Sequence, residues 1–86
     1  MHAVVTRVTI QDPEASQSTL RDEVVPRVAG SPGFVAGYWV QVADDKGSAV
    51  IVFESEEAAR TAADRLQPPP SVTFDSVEVG EVVANA

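Results

Sequence analysis

Cysteine is absent from the 86 residues, and histidine occurs once, as His2. Disulfides and thiolate metal sites are therefore excluded, and a lone imidazole leaves little scope for a histidine-based site, so we expect no bound metal. A domain of this size buries only about 60–65% of the surface that its unfolded chain exposes, so its own core is marginal. The remaining source of stability is a partner subunit.

Basic residues are also scarce. Six lysines and arginines stand against thirteen acidic residues, which gives a net charge of −7. A phosphate backbone and an anionic membrane surface would both be repelled, so we expect no nucleic acid and no membrane as partners. The N-terminus lacks the basic start and apolar run of a signal peptide, and no apolar run approaches the roughly 20 residues that span a bilayer. The expected location is the cytoplasm.

The alternation of apolar segments and turn residues predicts a single domain over residues 1–86 with the element order βαββαβ. The predicted strands are 4–10, 34–43, 48–54 and 72–83, and the predicted helices are about 13–29 and the segment between Ser55 and Pro68. Asp12 and Ser55 precede the helices as caps, and a turn at 44–47 joins the middle strands. This order predicts an α+β, ferredoxin-like fold, with a four-stranded antiparallel sheet and two helices on one of its faces.

Three features interrupt the regular pattern. Pro26 lies inside the first helix, where it removes a backbone donor, and predicts a kink or a loosened last turn. The apolar parity of the last strand changes between Phe74 and Val77, which predicts a bulge near Asp75 and Ser76. The prolines at 68–70 predict a helix end followed by a short stiff connector.

The second and third strands are apolar on both faces, although two helices cover only one face of such a sheet. Phe34 and Tyr38 alternate with Val35 and Trp39, and the third strand has the same character. An uncovered apolar face marks an interface, and its simplest closed form is a two-fold homodimer with the sheets face to face. The predicted interface residues are Val35, Trp39, Val50 and Val52.

Two segments carry a resemblance to a known family. Residues 31–38, Ser-Pro-Gly-Phe-Val-Ala-Gly-Tyr, resemble the PGF..G start of the second strand in the antibiotic biosynthesis monooxygenase family. Residues 53–58, Phe-Glu-Ser-Glu-Glu-Ala, are similar to that family's W-x-S-x-E-A passage into the second helix, and the helix end at 24–28 also fits. The resemblance implies a member of the dimeric α/β-barrel superfamily, with a pocket between the sheet and the helices of each subunit.

The family includes oxygenases of aromatic polyketides and quinols that use neither metal nor flavin, heme-degrading enzymes, and proteins without known activity. The resemblance therefore implies a cofactor-independent monooxygenase acting on a small aromatic or quinol. The heme-degrading members use an asparagine, a tryptophan and a histidine where this chain has Thr6, Phe53 and Ala63, so heme degradation is not expected, nor is any cofactor. Two alternatives stay open: a non-catalytic or stress-related binding dimer, and a structural interaction module with a filled pocket.

If Phe34 packs under the helices, strand parity places Tyr38 in the pocket and Trp39 in the interface. The small side chains of the second helix either allow close packing or leave room for a flat aromatic ligand. The predicted pocket-lining residues are Thr6, Phe34, Tyr38, Ile51, Phe53, Ala59 and Ala63. The catalytic base is not identified by any motif. The two candidates are His2, because histidine titrates near neutral pH, and Tyr38, whose hydroxyl can orient a phenol.

Overall fold

The computed structural model describes residues 1–68 and 71–86, and it contains an antiparallel sheet with the strand order β2-β3-β1-β4. The strands are β1 (His2–Ile10), β2 (Phe34–Ala43), β3 (Lys46–Phe53) and β4 (Val72–Glu81), and the helical elements are α1 (Pro13–Thr19), a π-helical turn (Leu20–Val24), α2 (Val25–Ala29) and α3 (Glu56–Arg65). This is the ferredoxin-like βαββαβ fold that the sequence predicts. The predicted connector at Pro69 and Pro70 lies outside the described residues.

Both helices begin where the sequence predicts. The Ala15 amide donates to Asp12 Oδ1 at 3.2 Å, and Pro13 occupies the first turn of α1. The Ala58 amide donates to Ser55 Oγ at 3.1 Å at the start of α3. Each cap satisfies an amide that has no partner inside its own helix. No helix among residues 1–68 and 71–86 is long and apolar enough to cross a membrane.

The first helical segment widens before Pro26. The Val25 amide donates to the carbonyl of Leu20, five residues back, and α2 starts again with Pro26 in its first turn. Proline has no N–H and its ring crowds the carbonyl four residues earlier, so a wider turn relieves both problems. The predicted loosening is confirmed, and it falls on the turn before the proline rather than on the turn after it.

The core fills the layer between the sheet and the helices. Phe53 and Val4 are its largest fully buried side chains, at 1% and 0% exposure. The Phe34 ring meets Phe53 edge to face, with ring centroids 6.2 Å apart and planes at 78°. The other members of the core are Val28, Ala49, Ile51 and Ala59. This packing fixes the helices over β1 and β3.

An extra residue near the start of β2 reverses the parity of that strand. Phe34 pairs with Phe53 and Ala36 pairs with Val52, which leaves Val35 as the bulge residue. Downstream of the bulge, Trp39 pairs with Ala49 on the helix side of the sheet, and Tyr38 pairs with Val50 on the opposite side, called here the open face. The expectation that Tyr38 shares the face of Phe34 is therefore wrong, because a bulge displaces every later residue by one position.

The glycines of residues 31–38 have specific structural roles. Gly33 adopts a φ of 77°, and a Cβ at this position would lie 2.9 Å from the Cβ of Ala58 in α3. A Cβ on Gly37 would lie 2.9 Å from the ring of Trp39, so the indole folds back over this glycine. The Glu54 amide also donates to the Gly33 carbonyl at 2.8 Å. The two segments that carry the family resemblance thus contact each other.

The bulge predicted in the last strand is confirmed. Ser76 pairs with Arg7 and Phe74 pairs with Val8, so Asp75 is the extra residue of β4. Thr9 Oγ1 donates to the Asp75 carboxylate at 2.8 Å, and Lys46 Nζ donates to the same hydroxyl at 2.7 Å. These bonds tie three strands together at one end of the open face.

Candidate ligand-binding site

A cavity of about 280 Å³ lies between the sheet and the helical residues 13–24. All four strands and the first helical segment contribute to its wall, and the chain continues around it at Leu66 and Gln67 after α3. Its main apolar side chains are Val8, Ile10, Leu20, Val24, Trp39 and Phe74. An apolar hollow of this kind, with a few polar groups at its edge, is the typical form of a small-molecule site.

The polar groups of the cavity are hydroxyls and amides. Thr6 is 4% exposed on β1, and Ser16 is 6% exposed on α1. The hydroxyls of Ser16 and Ser71 are 2.7 Å apart and share a hydrogen bond. Gln17 Nε2 donates to Gln41 Oε1 at 3.0 Å. These two bonds join α1 to the residue before β4 on one side and to β2 on the other, which holds the helix over the cavity.

The π-helical turn supplies part of the wall. Leu20 begins the turn and Val24 ends it, and both line the cavity. A π turn advances the side chains differently from an α turn, so the widened segment sets where these two side chains point. Pro26 therefore acts on the shape of the cavity through the turn that precedes it.

A second space, called here the groove, adjoins the cavity. It has a volume of about 670 Å³ and lies between α2, the 30–33 loop and α3. Ile51 and Leu66 line both spaces, so the two share a wall. The groove has an apolar floor that includes Phe53, and charged residues along its sides: Arg27, Glu54, Glu57 and Arg65.

The predicted pocket residues are divided among several environments. Thr6 and Ile51 line the cavity, and Ile51 and Phe53 line the groove. Ala59 belongs to the buried core, and the partly buried Phe34 packs against it. Ala63 lines a separate hollow beside Val77 and Val79. The alanine face of α3 thus does both things that the sequence left open: Ala59 packs closely, whereas Ala58 and Ala62 border the groove.

Tyr38 and Trp39 exchange the places that the sequence predicts. Trp39 lines the cavity, and Tyr38 is 65% exposed on the open face. Tyr38 as a pocket residue and Trp39 as an interface residue are therefore wrong, both because of the bulge at Val35. The remaining predicted interface residues, Val35, Val50 and Val52, lie in β2 and β3, where Val35 is 46% and Val50 39% exposed.

His2 lies at the far end of β1 from the cavity. It pairs with Phe53 and Glu81, and its Nε2 is 4.0 Å from Glu56 Oε2. The cavity borders β1 from Thr6 onward, and the four residues of strand from His2 to Thr6 span roughly 13 Å. His2 at a cavity mouth is therefore wrong. It is held in the sheet rather than frayed, with its Nδ1 buried and without a hydrogen-bond partner in the described chain.

Several cavity residues were not among the predicted site residues. Leu20 and Val24 are four residues apart in the first helix, a spacing that indicates a buried helix face but not a ligand. Val8, Ile10 and Phe74 line the cavity because β1 and β4 pair beyond the bulge at Asp75. The parity change in the last strand predicts the position of the bulge. Which face of the sheet each residue occupies depends on how the strands pair.

The open face is apolar in one part and polar in the other. Ala36, Tyr38 and Val40 of β2 adjoin Val50 and Val52 of β3, whereas Arg7, Thr9, Lys46, Asp75 and Glu78 lie toward β4 and the far end of β1. Lys46 Nζ is 3.6 Å from Asp75 Oδ2. The uncovered apolar surface is thus concentrated on the β2–β3 side of the sheet.

Comparison with known proteins gives matches of structure only. No family model and no curated protein matches the chain. An MhuD point mutant with two manganese protoporphyrin IX molecules bound per active site has a TM-score of 0.64 and 18% identity, over 100% of this chain and 98% of that chain. The heme-degrader MhuD from Mycobacterium tuberculosis with two hemes in its active site has a TM-score of 0.52 and 24% identity, over 96% and 98%. A heme-free, cleaved form of the heme-degrading protein of that organism has a TM-score of 0.55 and 25% identity, over 98% of each chain.

The donor groups of the cavity and groove do not suit heme. Proteins hold heme iron through histidine, cysteine, methionine or tyrosine, and none of these residue types lines either space in the described chain. Ala63, at the position of the family's histidine, has no ligating atom. The chain has the fold of the heme-degrading MhuD proteins and of the antibiotic biosynthesis monooxygenase group that its sequence motifs resemble, without a side chain in these spaces to hold the iron.

Proposed function

We propose that this protein binds a small aromatic molecule in the cavity between the sheet and residues 13–24. The observation that supports this most directly is an apolar space beside the only tryptophan of the chain, closed by two hydrogen bonds from α1. A flat ring would bury its faces against Trp39, Leu20 and Phe74. Burial of apolar area contributes about 25 cal/mol per Å², so covering both faces of an aromatic ring is the main favourable contribution to binding here.

The volume of the cavity bears on the size of this molecule. Pockets for drug-sized ligands run from about 300 to 1,000 Å³, and this cavity lies just below that range. A hydroquinone or a naphthol is of suitable size. The groove extends the space beyond Ile51 and Leu66, so it can hold a longer substituent of the ligand. The filled-pocket alternative, a purely structural module, loses support because open space adjoins Thr6 and Phe53.

The same proposal includes a homodimer formed through the apolar part of the open face. Tyr38 and Val40 are 65% and 53% exposed in the single chain, and Val50 beside them is 39% exposed. Adjacent apolar side chains on an uncovered sheet are the usual sign of a protein interface. The two-fold arrangement is self-complementary, so one surface of this kind is sufficient.

Oxygenase activity on a phenol or quinol is the second candidate. It is favoured by the likeness of the fold to heme-degrading enzymes and by an apolar cavity that would keep water away from a reactive intermediate. Such chemistry needs a group that accepts a proton. Neither His2 nor Tyr38 borders the cavity, so a substrate would have to lose its proton without a side-chain base from the described wall. Binding without chemistry is therefore the first candidate.

The test uses the purified chain and a neutral quinone. Saturable quenching of Trp39 fluorescence by 1,4-naphthoquinone, together with a rise in Tm, is the expected result. Ligand at 100 times its Kd stabilises the folded protein by about 2.7 kcal/mol, which corresponds to several degrees. Linear quenching without saturation and an unchanged Tm, for this compound and for 1-naphthol and anthrone, would contradict binding. Oxygen consumption with 1-naphthol or anthrone separates an oxygenase from a binding protein.

A further inference from the structure

We infer that the cavity selects neutral aromatic ligands. Charged derivatives of the same aromatic rings should bind more weakly. The inference rests on the proposed binding function and names the chemical class that the site accepts: uncharged aromatics with a hydroxyl, carbonyl or amide group. It follows from the residue types of the wall, the charge of the whole chain and the location of the charged groups around the site.

The described wall of the cavity contains no ionisable side chain. Aspartate, glutamate, lysine and arginine make up 22% of the chain, yet none of them lines the cavity, and neither does His2 or Tyr38. The polar groups there are the hydroxyls of Thr6, Ser16 and Ser48 and the side-chain amides of Gln17, Gln41 and Gln67. Hydroxyls and amides exchange hydrogen bonds with a neutral polar group but do not compensate a full charge.

A charged ligand would therefore lose its hydration without gaining a counter-ion. Transfer of a carboxylate or an ammonium from water into an apolar site is strongly unfavourable unless the ion is paired there. For an anion the net charge of −7 adds a repulsive potential around the whole molecule. A cation is attracted to the surface by that same potential, but no carboxylate lines the described cavity wall to receive it.

Charged residues line the adjoining groove and lie on the opposite face of the sheet. Arg27 and Arg65 line the groove together with Glu54 and Glu57. Lys46 and Asp75 are paired on the open face. The boundary between the charged and uncharged spaces runs along Ile51 and Leu66, the residues that both spaces share.

The amide pair at the cavity edge is suited to a neutral polar group. Gln17 Nε2 is bonded to Gln41 Oε1, and Gln41 Nε2 is bonded to the Asp44 carbonyl at 3.3 Å. Each amide has two donor hydrogens and an acceptor oxygen, so both retain capacity for further hydrogen bonds. A ligand hydroxyl or amide placed here can both donate and accept, whereas a carboxylate can only accept.

The experiment compares three ligands with one ring system. Calorimetric titration at neutral pH is made with 2-naphthamide, 2-naphthoate and 2-naphthylmethylammonium. We expect the amide to bind at least tenfold more tightly than either ion. If naphthoate or the ammonium binds as tightly as the amide, the charge selectivity is wrong while the binding function stands. If none of the three binds and naphthoquinone does not bind either, the binding function itself fails, and the selectivity fails with it.

A pair of variants tests the physical cause. Gln67 is an exposed residue that lines the cavity edge, so its substitution should leave the fold intact. Gln67→Arg supplies a cation and should raise the affinity for naphthoate at least tenfold, whereas Gln67→Met, of similar length and uncharged, should not. An equal naphthoate affinity in both variants would overturn the explanation. Naphthoate binding by the unmodified chain that is lost in Arg27→Ala would place the ligand in the groove and would likewise overturn it.

Discussion

Trp39 pairs with Ala49 on the helix side of the sheet, and the residue before it, Tyr38, pairs with Val50 on the open face. These are the only tryptophan and the only tyrosine of the chain. The indole borders the cavity, and the phenol is 65% exposed on the opposite side. Two consecutive aromatic residues thus belong to two different surfaces, and substitutions of Ala49 and of Tyr38 separate ligand binding from self-association.

Ala49→Leu should fill the cavity without unfolding the chain. Ala49 is 6% exposed, pairs with Thr6 and Trp39, and lines the cavity, so a larger side chain extends into the open space. We expect ligand affinity to fall at least about tenfold, and stability to change by no more than about 1–3 kcal/mol. Naphthoquinone titration and urea denaturation measure the two effects.

The control for this variant is Ala63→Leu, which lies against a different hollow beside Val77 and Val79. It makes the same chemical change in α3 and should leave ligand affinity unaltered. Equal loss of affinity in both variants would mean that the ligand does not occupy the cavity beside Trp39.

Tyr38→Asp should weaken the proposed dimer. A carboxylate at the centre of an apolar interface is desolvated without a partner, and such changes cost about 2–5 kcal/mol of association free energy. Sedimentation velocity should show the unmodified chain as a dimer and the variant as a monomer at the same concentration.

The matched control for Tyr38→Asp is Val83→Asp. Val83 is 90% exposed and follows the end of β4. The substitution therefore adds the same charge outside the apolar part of the open face. It should remain dimeric. A dimer that persists in Tyr38→Asp would contradict association through this face.

The positions of the strands and helices were predictable because they depend on local signals. Each of these signals acts within a few residues: the caps at Asp12 and Ser55, the proline at 26 and the parity change in the last strand. The structural feature that each one predicts is confirmed. The fold followed from their order. The apolar composition of β2 also concealed its bulge, because a parity shift is invisible when both faces of a strand are apolar.

The site was less predictable because it depends on pairing between distant segments. Val35 can be recognised as the bulge residue only when Phe34 and Ala36 are seen opposite consecutive residues of β3. Thr6 and Ile51 both line the cavity, and they lie in β1 and β3, where no bulge separates their pairing from the expected register. Gln17 and Gln41 are separated by 24 residues and meet only in the folded chain. No local pattern marks such a pair.

Pro26→Ala should convert the π-helical turn toward a regular α-helix. The new amide can donate within the helix, and the crowding of the proline ring is removed, so stability should rise by about 1 kcal/mol. Leu20 and Val24 would shift from their places in the cavity wall, so ligand affinity should fall. Urea denaturation and naphthoquinone titration measure these opposite changes.

Pro32→Ala is the control for the helical effect, because Pro32 lies in the exposed loop after α2. It should change neither the cavity affinity nor the helix content measured by circular dichroism. If Pro26→Ala stabilises the chain but leaves affinity unaltered, the π turn does not set the shape of the cavity.

Phe34 and Phe53 should show a measurable coupling in the core. Their edge-to-face contact, at 6.2 Å between centroids, joins the start of β2 to the end of β3. Such aromatic pairs contribute about 0.5–1.5 kcal/mol beyond the area they bury. A double-mutant cycle with Phe34→Leu and Phe53→Leu, measured by urea denaturation at one fixed protein concentration, should therefore give a coupling energy in that range.

The comparison cycle combines Phe53→Leu with Phe74→Leu. Phe53 pairs opposite His2 and Phe74 opposite Val8, so roughly 20 Å of β1 separates the two rings. Their effects should add to within about 0.5 kcal/mol, because distant side chains without shared partners act independently. Additivity in the Phe34 cycle as well would show that the ring contact contributes only its buried area.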